Sequence, residues 1–335
     1  MTKIETRPCG NSSLSLPVLG IGCWSFGGGD YWGPQDQKDV DAVVSLALER
    51  GANYFDTAEA YNEGRSEESL GLALRGRRSQ AILGAKIPPN AVQPEALRLH
   101  CEASLRRLQT DVIDLYMVHW PIPTPAVEGA FTTLQALQSE GKIRTIGVSN
   151  FGAQQLDEAL RTGARIVANQ LYYNLLSRAL EFELIPYCAR RGLGILAYMP
   201  LQQGLLTGKY ASADEMPSVR TRTRHFRPDR PGSRHGEPGA EEETFAALRG
   251  LREIAAGLDA SMSQVALSWI LSRPEITCIV AGIRSIEQLE ANLAGIEVKL
   301  APGVVDRLDS LTQPLRDTLG PSPDYFQATR DSRTF

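Results

Sequence analysis

Asp56, Tyr61, Lys86 and His119 are the residues of this chain whose types and spacing can do acid–base chemistry. Each lies at or just beyond the end of an apolar run. Ala52–Asp56 leads to Tyr61, Ala81–Ala85 ends at Lys86, and Val112–Val118 ends at His119. Such runs read as short buried strands. A lone phenol, with an ordinary pKa of about 10, is a poor acid at neutral pH. An ammonium beside it stabilises the phenolate and eases release of the proton. A carboxylate can hold that ammonium in place, and an imidazole at a neighbouring strand end can orient a carbonyl oxygen. Together the four suit protonation of an oxygen on which negative charge is growing. Singly they have plainer roles: Asp56 as a helix cap, Tyr61 as a packing group, His119 as a core residue before Trp120-Pro121.

Reducing a carbonyl also needs a hydride, which no side chain supplies, so a reduced nicotinamide is implied. Other chemistries lack their residues. There is no nucleophile with a paired base and no pair of pocket carboxylates suited to glycoside hydrolysis. The histidines and cysteines show no zinc spacing, so no metal is expected, and neither a P-loop nor GxGxxG occurs. A net charge of -4 argues against a nucleic-acid partner. No apolar stretch is long and uncharged enough to cross a bilayer, and MTKIETRPCG lacks the apolar run of a secretory signal. Five scattered cysteines without CxxC read as reduced thiols in a cytoplasmic protein.

The elements that must position the four alternate regularly. A β-hairpin around Gly10-Asn11-Ser12 comes first, followed by a core strand over Leu16–Gly22. Gly27-Gly28-Gly29 opens a loop with Tyr31 and Trp32 at its tip. Asp36 caps a helix running to Arg50, with Val40, Val43, Val44 and Ala47 on one face and Gly51 closing it. Strands are then expected at 53–56, 81–85, 112–118, 143–148, 166–169, 194–197 and 277–280. Helices follow them at 66–74, 94–107, 125–140, 153–162, 179–190, 241–256 and 286–293, with an extra helix over 264–271. Eight such units close a parallel (β/α)8 TIM barrel, a single α/β domain over residues 1–335. The 204–239 segment, after the seventh barrel strand, is long, irregular and basic. It reads as a lid or binding loop, or as a solvated excursion. The tail from Thr312 either crosses the barrel mouth or frays.

With its motifs in view, the chain resembles the aldo-keto reductase superfamily, from the hairpin to about Leu311. The matching stretches are Gly20-Ile-Gly-Cys-Trp, Asn53-Tyr-Phe-Asp-Thr-Ala-Glu-Ala-Tyr-Asn, Asp114-Leu-Tyr-Met-Val-His-Trp-Pro, Gly141-Lys-Ile-Arg-Thr-Ile-Gly-Val-Ser-Asn and Gly204-Leu-Leu-Thr-Gly-Lys-Tyr. The resemblance implies reduction of an aldehyde or ketone by NADPH, with Tyr61 as general acid, Lys86 and Asp56 tuning it, and His119 orienting the carbonyl. It implies cofactor contacts at Gly22, Cys23, Trp24 and Asp56. Ser149, Asn150 and Gln170 would hold the nicotinamide carboxamide, and Tyr198 would stack on the ring. Pro200, Leu201, Gly204, Leu206, Gly208 and Lys209 would line the pyrophosphate. Gly282, Arg284, Gln288 and Asn292 would hold the adenosine 2′-phosphate and adenine. Trp24, Tyr61, His119 and Trp120 would meet the small-molecule carbonyl substrate.

The chain departs from the family at three places. Ala291-Asn292 stands where relatives often carry Glu-Asn, and Met199-Pro200-Leu201-Gln202-Gln203-Gly204 where many carry Ser-Pro-Leu before the glycine. His119-Trp-Pro-Ile122 replaces the common His-Trp-Pro-Asp. NADH is therefore the alternative reductant. A polyol or sugar dehydrogenase and a cofactor-binding regulatory subunit are the alternative functions. A monomer or weak homo-oligomer is expected.

Overall fold

Pro17 divides what reads as one strand into two. In this computed structural model, which describes residues 4–335, β1 (Thr6–Pro8) pairs antiparallel with β2 (Ser15–Pro17), and β3 (Leu19–Gly22) begins only after Val18. Pro17 has no N–H to extend a ladder. The chain turns at Val18, whose carbonyl receives the N–H of Ile279, and so enters the barrel. The hairpin closes the barrel's N-terminal end. Its Cys9 and Leu16 are fully buried, in a cluster with Tyr54, Leu115, Met117, Leu196 and Cys278. Arg7 ties it down by donating to the carbonyls of Leu271 and Ile276.

Beyond the hairpin the chain is α1 (Gln37–Arg50), β4 (Tyr54–Asp56), α2 (Arg65–Ala73), β5 (Ile82–Ile87), α3 (Pro94–Arg107), β6 (Ile113–Val118), α4 (Thr124–Ser139), β7 (Ile143–Ser149), α5 (Ala153–Arg161), β8 (Ile166–Tyr172), α6 (Leu184–Arg191), β9 (Gly194–Tyr198), α7 (Glu241–Gly257), α8 (Met262–Leu271), β10 (Ile276–Gly282), α9 (Ile286–Glu297) and α10 (Pro302–Leu319). Strands β3 to β10 form a closed parallel barrel in sequence order, with β10 returning to β3. The eight-unit barrel and its N-terminal hairpin are thus present. Local signals account for the ends of α1. Asp36 accepts from Lys38 N–H at 2.9 Å, and Gly51 takes φ 82, a left-handed turn that costs glycine little.

Two elements differ from expectation. The helix expected over 179–190 is a single 3₁₀ turn at Ala179–Glu181, a break, and then α6. Pro186 lacks the N–H that a helix begun at Ala179 would need, but fits the first turn of one begun at Leu184. Helix α10 is the larger departure, running on through Thr312 to Leu319, where the expectation is a tail that crosses the barrel mouth or frays. Pro302 occupies the first turn, and Pro314 sits inside the helix at a cost of about 3 kcal/mol. Burial of Leu308, Thr312, Leu315 and Leu319 holds the helix regardless. After α10 the tail lies back on the barrel, burying Tyr325 and pairing Arg333 with Asp324 at 2.7 Å.

The 204–239 segment is anchored at its middle. Thr221, Thr223, Arg224, His225 and Phe226 are all buried. Two of its outer glycines are sites of close approach. A Cβ at Gly232 would lie 2.2 Å from Ser218 O, and one at Gly239 would lie 1.9 Å from Phe226 O. Several of its arginines are already partnered within the fold. Arg224 donates to the carbonyls of Leu319 and Ser322, Arg230 pairs with Glu241 and Asp214, and Arg227 lies 3.3 Å from Asp229. Among the described residues no single helix is long and apolar enough to cross a membrane.

Candidate active site

Parallel pairing brings the four acid–base residues together. Asp56 ends β4, Lys86 lies near the end of β5, and His119 follows β6. These strands are consecutive neighbours, with Asp56 opposite Gly84 and Lys86 opposite Met117. His119 N–H extends the register by donating to Ile87 O at 2.9 Å. Tyr61 arrives from the loop after β4. Asn62 and Glu63 hold left-handed φ of 52° and 58°, a conformation costing roughly 1–2 kcal/mol per non-glycine residue. The Asn62 amide offsets part of this by donating to the carbonyls of Trp24 and Phe26 at 3.0 and 3.1 Å. The phenol is thereby aimed back over the strand ends.

Lys86 is fully buried, and its ammonium donates to Asp56 Oδ2 at 2.6 Å, Thr57 O at 2.9 Å and the Tyr61 hydroxyl at 3.3 Å. Burial works to strip its proton, but the Asp56 carboxylate and the Tyr61 oxygen outweigh burial, and its pKa is raised. Lys86 remains a cation. Burial also raises the Tyr61 pKa; Lys86 pulls it down and Asp56 pushes it up, leaving it above its ordinary value. Tyr61 is therefore fully protonated at neutral pH, and the charge of Lys86 acts by stabilising the phenolate left behind. Burial, then the nearby Lys86, lowers His119 to about 3. Its imidazole is neutral, and its ring meets Tyr61 edge-on at 5.6 Å.

Tyr54 completes the group, a residue that the apolar run Ala52–Asp56 marks only as part of a buried strand. It is fully buried and its hydroxyl lies 3.2 Å from Asp56 Oδ1. Gly20 on β3 and Gly84 on β5 make room for its ring: a Cβ would fall 2.5 Å and 2.4 Å from Tyr54 atoms. Alternation along β4 was the available signal, since residues two apart share a face. Gln170 reaches across from β8 and donates to Asp56 Oδ1 at 2.8 Å. Both carboxylate oxygens are thus engaged, one by Lys86 and the other by neutral donors.

The expected cofactor residues separate into groups. Ser149, Asn150, Gln170 and Tyr198 meet at the mouth. Ser149 donates to Gln170 O at 3.0 Å, and Tyr198 donates to Asn150 Oδ1 at 2.7 Å. The Asn150 amide also donates to His119 O at 3.1 Å, so the Asn150 carboxamide links the Tyr198 hydroxyl to the His119 backbone. Trp24 stands at the mouth 5.8 Å from the Tyr61 ring, and Trp120 lies under the Arg333 guanidinium at 3.6 Å. Cys23 is sealed inside, its N–H donating to Asp56 O and its carbonyl accepting from Ser66. Gly22 is also buried, against Ala281. Pro200 and Leu206 are buried, while Leu201, Gly204 and Gly208 are half-exposed and Lys209 is exposed. Gly282 and Gln288 are exposed near Arg284, and Gln288 Oε1 accepts the Arg284 N–H.

The donor set fits a nicotinamide dinucleotide. Gly204, at φ 96, lets Lys209 lie across the turn; a Cβ there would be 2.9 Å from Nζ. That leaves a cation over a backbone cradle. Among the described residues the Arg284 guanidinium is held only by oxygens of amides, those of Gln35 at 2.7 Å and of Trp32 and Pro34 at 2.6 Å, and no carboxylate pairs with its charge. Asn292 is 5% exposed, and its carboxamide has no hydrogen bond among the described residues.

Comparison with known proteins agrees with the fold. The sequence profile "Aldo/keto reductase family" matches residues 18–313. The chain is 32% identical over 322 residues to an Escherichia coli "NADH-specific methylglyoxal reductase", covering 88% of this chain and 94% of the relative. It is 34% identical over 303 residues to the Bacillus subtilis aldo-keto reductase YhdN, covering 86% and 87%. A crystal structure of a Klebsiella pneumoniae aldo-keto reductase in complex with NADPH superposes with TM-score 0.72 at 25% identity, covering 97% of this chain and 98% of that one. On these matches, and on the barrel they share, the chain belongs to the aldo/keto reductase family.

Proposed function

We propose that this protein reduces an aldehyde or ketone to the alcohol, with NADPH as reductant and Tyr61 as proton donor. The observation that carries the reading is the chain from the buried Asp56 carboxylate through the buried Lys86 ammonium to the half-buried Tyr61 hydroxyl, at 2.6 and 3.3 Å. Bound reduced nicotinamide would supply the hydride to the carbonyl carbon. The residues of the chain handle the oxygen. His119, neutral, donates a hydrogen bond that orients it. Tyr61 transfers its hydroxyl proton to it, and Lys86 steadies the resulting phenolate until solvent returns a proton. Asp56, held by Tyr54 and Gln170, keeps the ammonium aimed. Ser149 and Gln170 would hold the carboxamide, Tyr198 one face of the ring, Lys209 and the turn at Gly204 the diphosphate, and Arg284, Gln288 and Asn292 the adenosine end.

NADH is a second reading with one observation behind it. The Arg284 donors already serve Gln35, Trp32 and Pro34, and a 2′-phosphate must displace some of them. The relative named as NADH-specific adds to that case. Five free, buried cysteines support a reducing, cytoplasmic setting, and we read residues 1–335 as one unit acting as a monomer or weak oligomer. The test follows loss of reduced-nicotinamide absorbance with methylglyoxal and a panel of benzaldehydes. Turnover is expected. Tight nucleotide binding with no turnover of any carbonyl would overturn the reading in favour of a regulatory subunit.

A further inference from the structure

Arg222 differs from the other covered arginines of its loop. Arg220, Arg224 and Arg230 all donate hydrogen bonds, to a phenol, to backbone carbonyls or to carboxylates. Among the described residues Arg222 donates none and has no carboxylate within ion-pair distance; its Nε, like those of Arg220 and Arg224, is buried without a partner. Its guanidinium is boxed by aromatic rings, 5.6 Å from Trp24, 5.1 Å from Tyr31 and 5.0 Å from Phe326. Aromatic faces attract a cation but leave its N–H donors unsatisfied. A half-buried guanidinium in that state is costly unless an acceptor arrives. Trp24 also lies against the Tyr61 ring, with 5.8 Å between centroids. The unpaired charge therefore stands one aromatic ring away from the candidate proton donor, on the wall of the same mouth.

We propose that Arg222 binds an anionic group of the substrate, so that the preferred substrates are carbonyl compounds carrying a carboxylate or a phosphate. This rests on the reductase reading above and names its substrate class. A planar guanidinium takes such an oxyanion with two parallel hydrogen bonds, and the aromatic walls hold it in place and exclude water. The same walls accept the uncharged body of the substrate between Arg222 and Tyr61. The other anion that could reach this mouth is the cofactor diphosphate, so the test separates the two.

The experiment compares 4-formylbenzoate with its methyl ester, which has the same carbonyl and no charge, in the wild type and in Arg222→Met. Loss of a charged hydrogen bond is expected to raise KM for 4-formylbenzoate about tenfold or more. The ester's kcat/KM should change by less than about threefold, and the NADPH dissociation constant, from fluorescence titration without substrate, by less than about twofold. A matching loss on the ester would overturn the proposal, and so would a tenfold weakening of NADPH, which would assign Arg222 to the diphosphate. A binding readout stands apart from turnover. By calorimetry, 4-methylbenzoate should bind the wild type at least about fivefold more tightly than 4-methylbenzamide, and Arg222→Met should erase that preference. If no carbonyl is turned over, the reductase reading fails, while the calorimetric preference still decides the anion site. Equal binding of the two in the wild type would sink it.

Discussion

Gln170 and Asp56 are hydrogen-bonded across the barrel, from β8 to β4, at 2.8 Å. One end of Gln170 is thus tied to the carboxylate that holds Lys86, while its carbonyl receives Ser149 and Asn150. The nicotinamide side of the site and the proton-donating side share this residue. Gln170→Leu leaves Asp56 Oδ1 with only the longer contact to Tyr54. We expect kcat to fall about tenfold, consistent with loss of one hydrogen bond to a charged group, and nucleotide affinity to weaken as well. Steady-state kinetics with fluorescence titration checks this. A change in affinity with kcat intact would uncouple the two sides.

The placement of Asp56, Lys86 and His119 was legible because parallel strands in sequence order put successive strand ends side by side. Tyr54 was less so, since its role depends on the space left by Gly20 and Gly84 on two other strands. The arginines of the 204–239 segment were illegible. Arg222 and Arg224 are two residues apart in similar sequence, yet one faces aromatic rings and the other the carbonyls of Leu319 and Ser322. Those partners lie about 100 positions away in sequence, and no local pattern announces them. Helix α10 was not legible either, because it carries Pro314 in its interior, which only its buried face overrides.

Tyr61→Phe should lower kcat at least ~100-fold with nucleotide affinity nearly unchanged, the range for loss of a positioned general acid. Lys86→Met should be similarly damaging. The pH profile carries the sign. The donor works protonated, and burial raises the Tyr61 pKa above its ordinary value. Reduction should therefore hold level through neutral pH and decline only as pH rises past the ordinary phenol value of about 10. His119, lowered to about 3, should add no inflection near neutrality. A decline with a midpoint near pH 7, absent from the Tyr61→Phe background rate, would contradict the assignment.

Arg284→Ala separates phosphate recognition from loop support. If the guanidinium takes a 2′-phosphate, NADPH binding should weaken about tenfold or more while NADH changes little. The substitution also removes the contacts to Trp32, Pro34 and Gln35, and that loop should exchange its amide hydrogens faster. Equal weakening of both nucleotides, with faster exchange, would make Arg284 a support for the loop alone.

Phe226→Ala tests whether the 204–239 segment moves as a lid or belongs to the core. Its length, irregularity and positive charge read as a lid or binding loop. Phe226 is nevertheless fully buried, and the backbone at Gly239 packs so closely on Phe226 O that any Cβ would collide. His225, also fully buried, is held by Gln202, Thr223 and the carbonyl of Leu176. A segment pinned in this way can move only at its outer residues on either side of 221–226. Truncating a buried phenylalanine ordinarily costs about 3–5 kcal/mol, and we expect a loss of that size in the urea-unfolding midpoint. Stopped-flow release of NADP⁺ should quicken only modestly below the new transition, because the pinned middle does not swing in the wild type. A stability loss under about 1 kcal/mol, together with much faster release, would show instead that the middle of the segment opens.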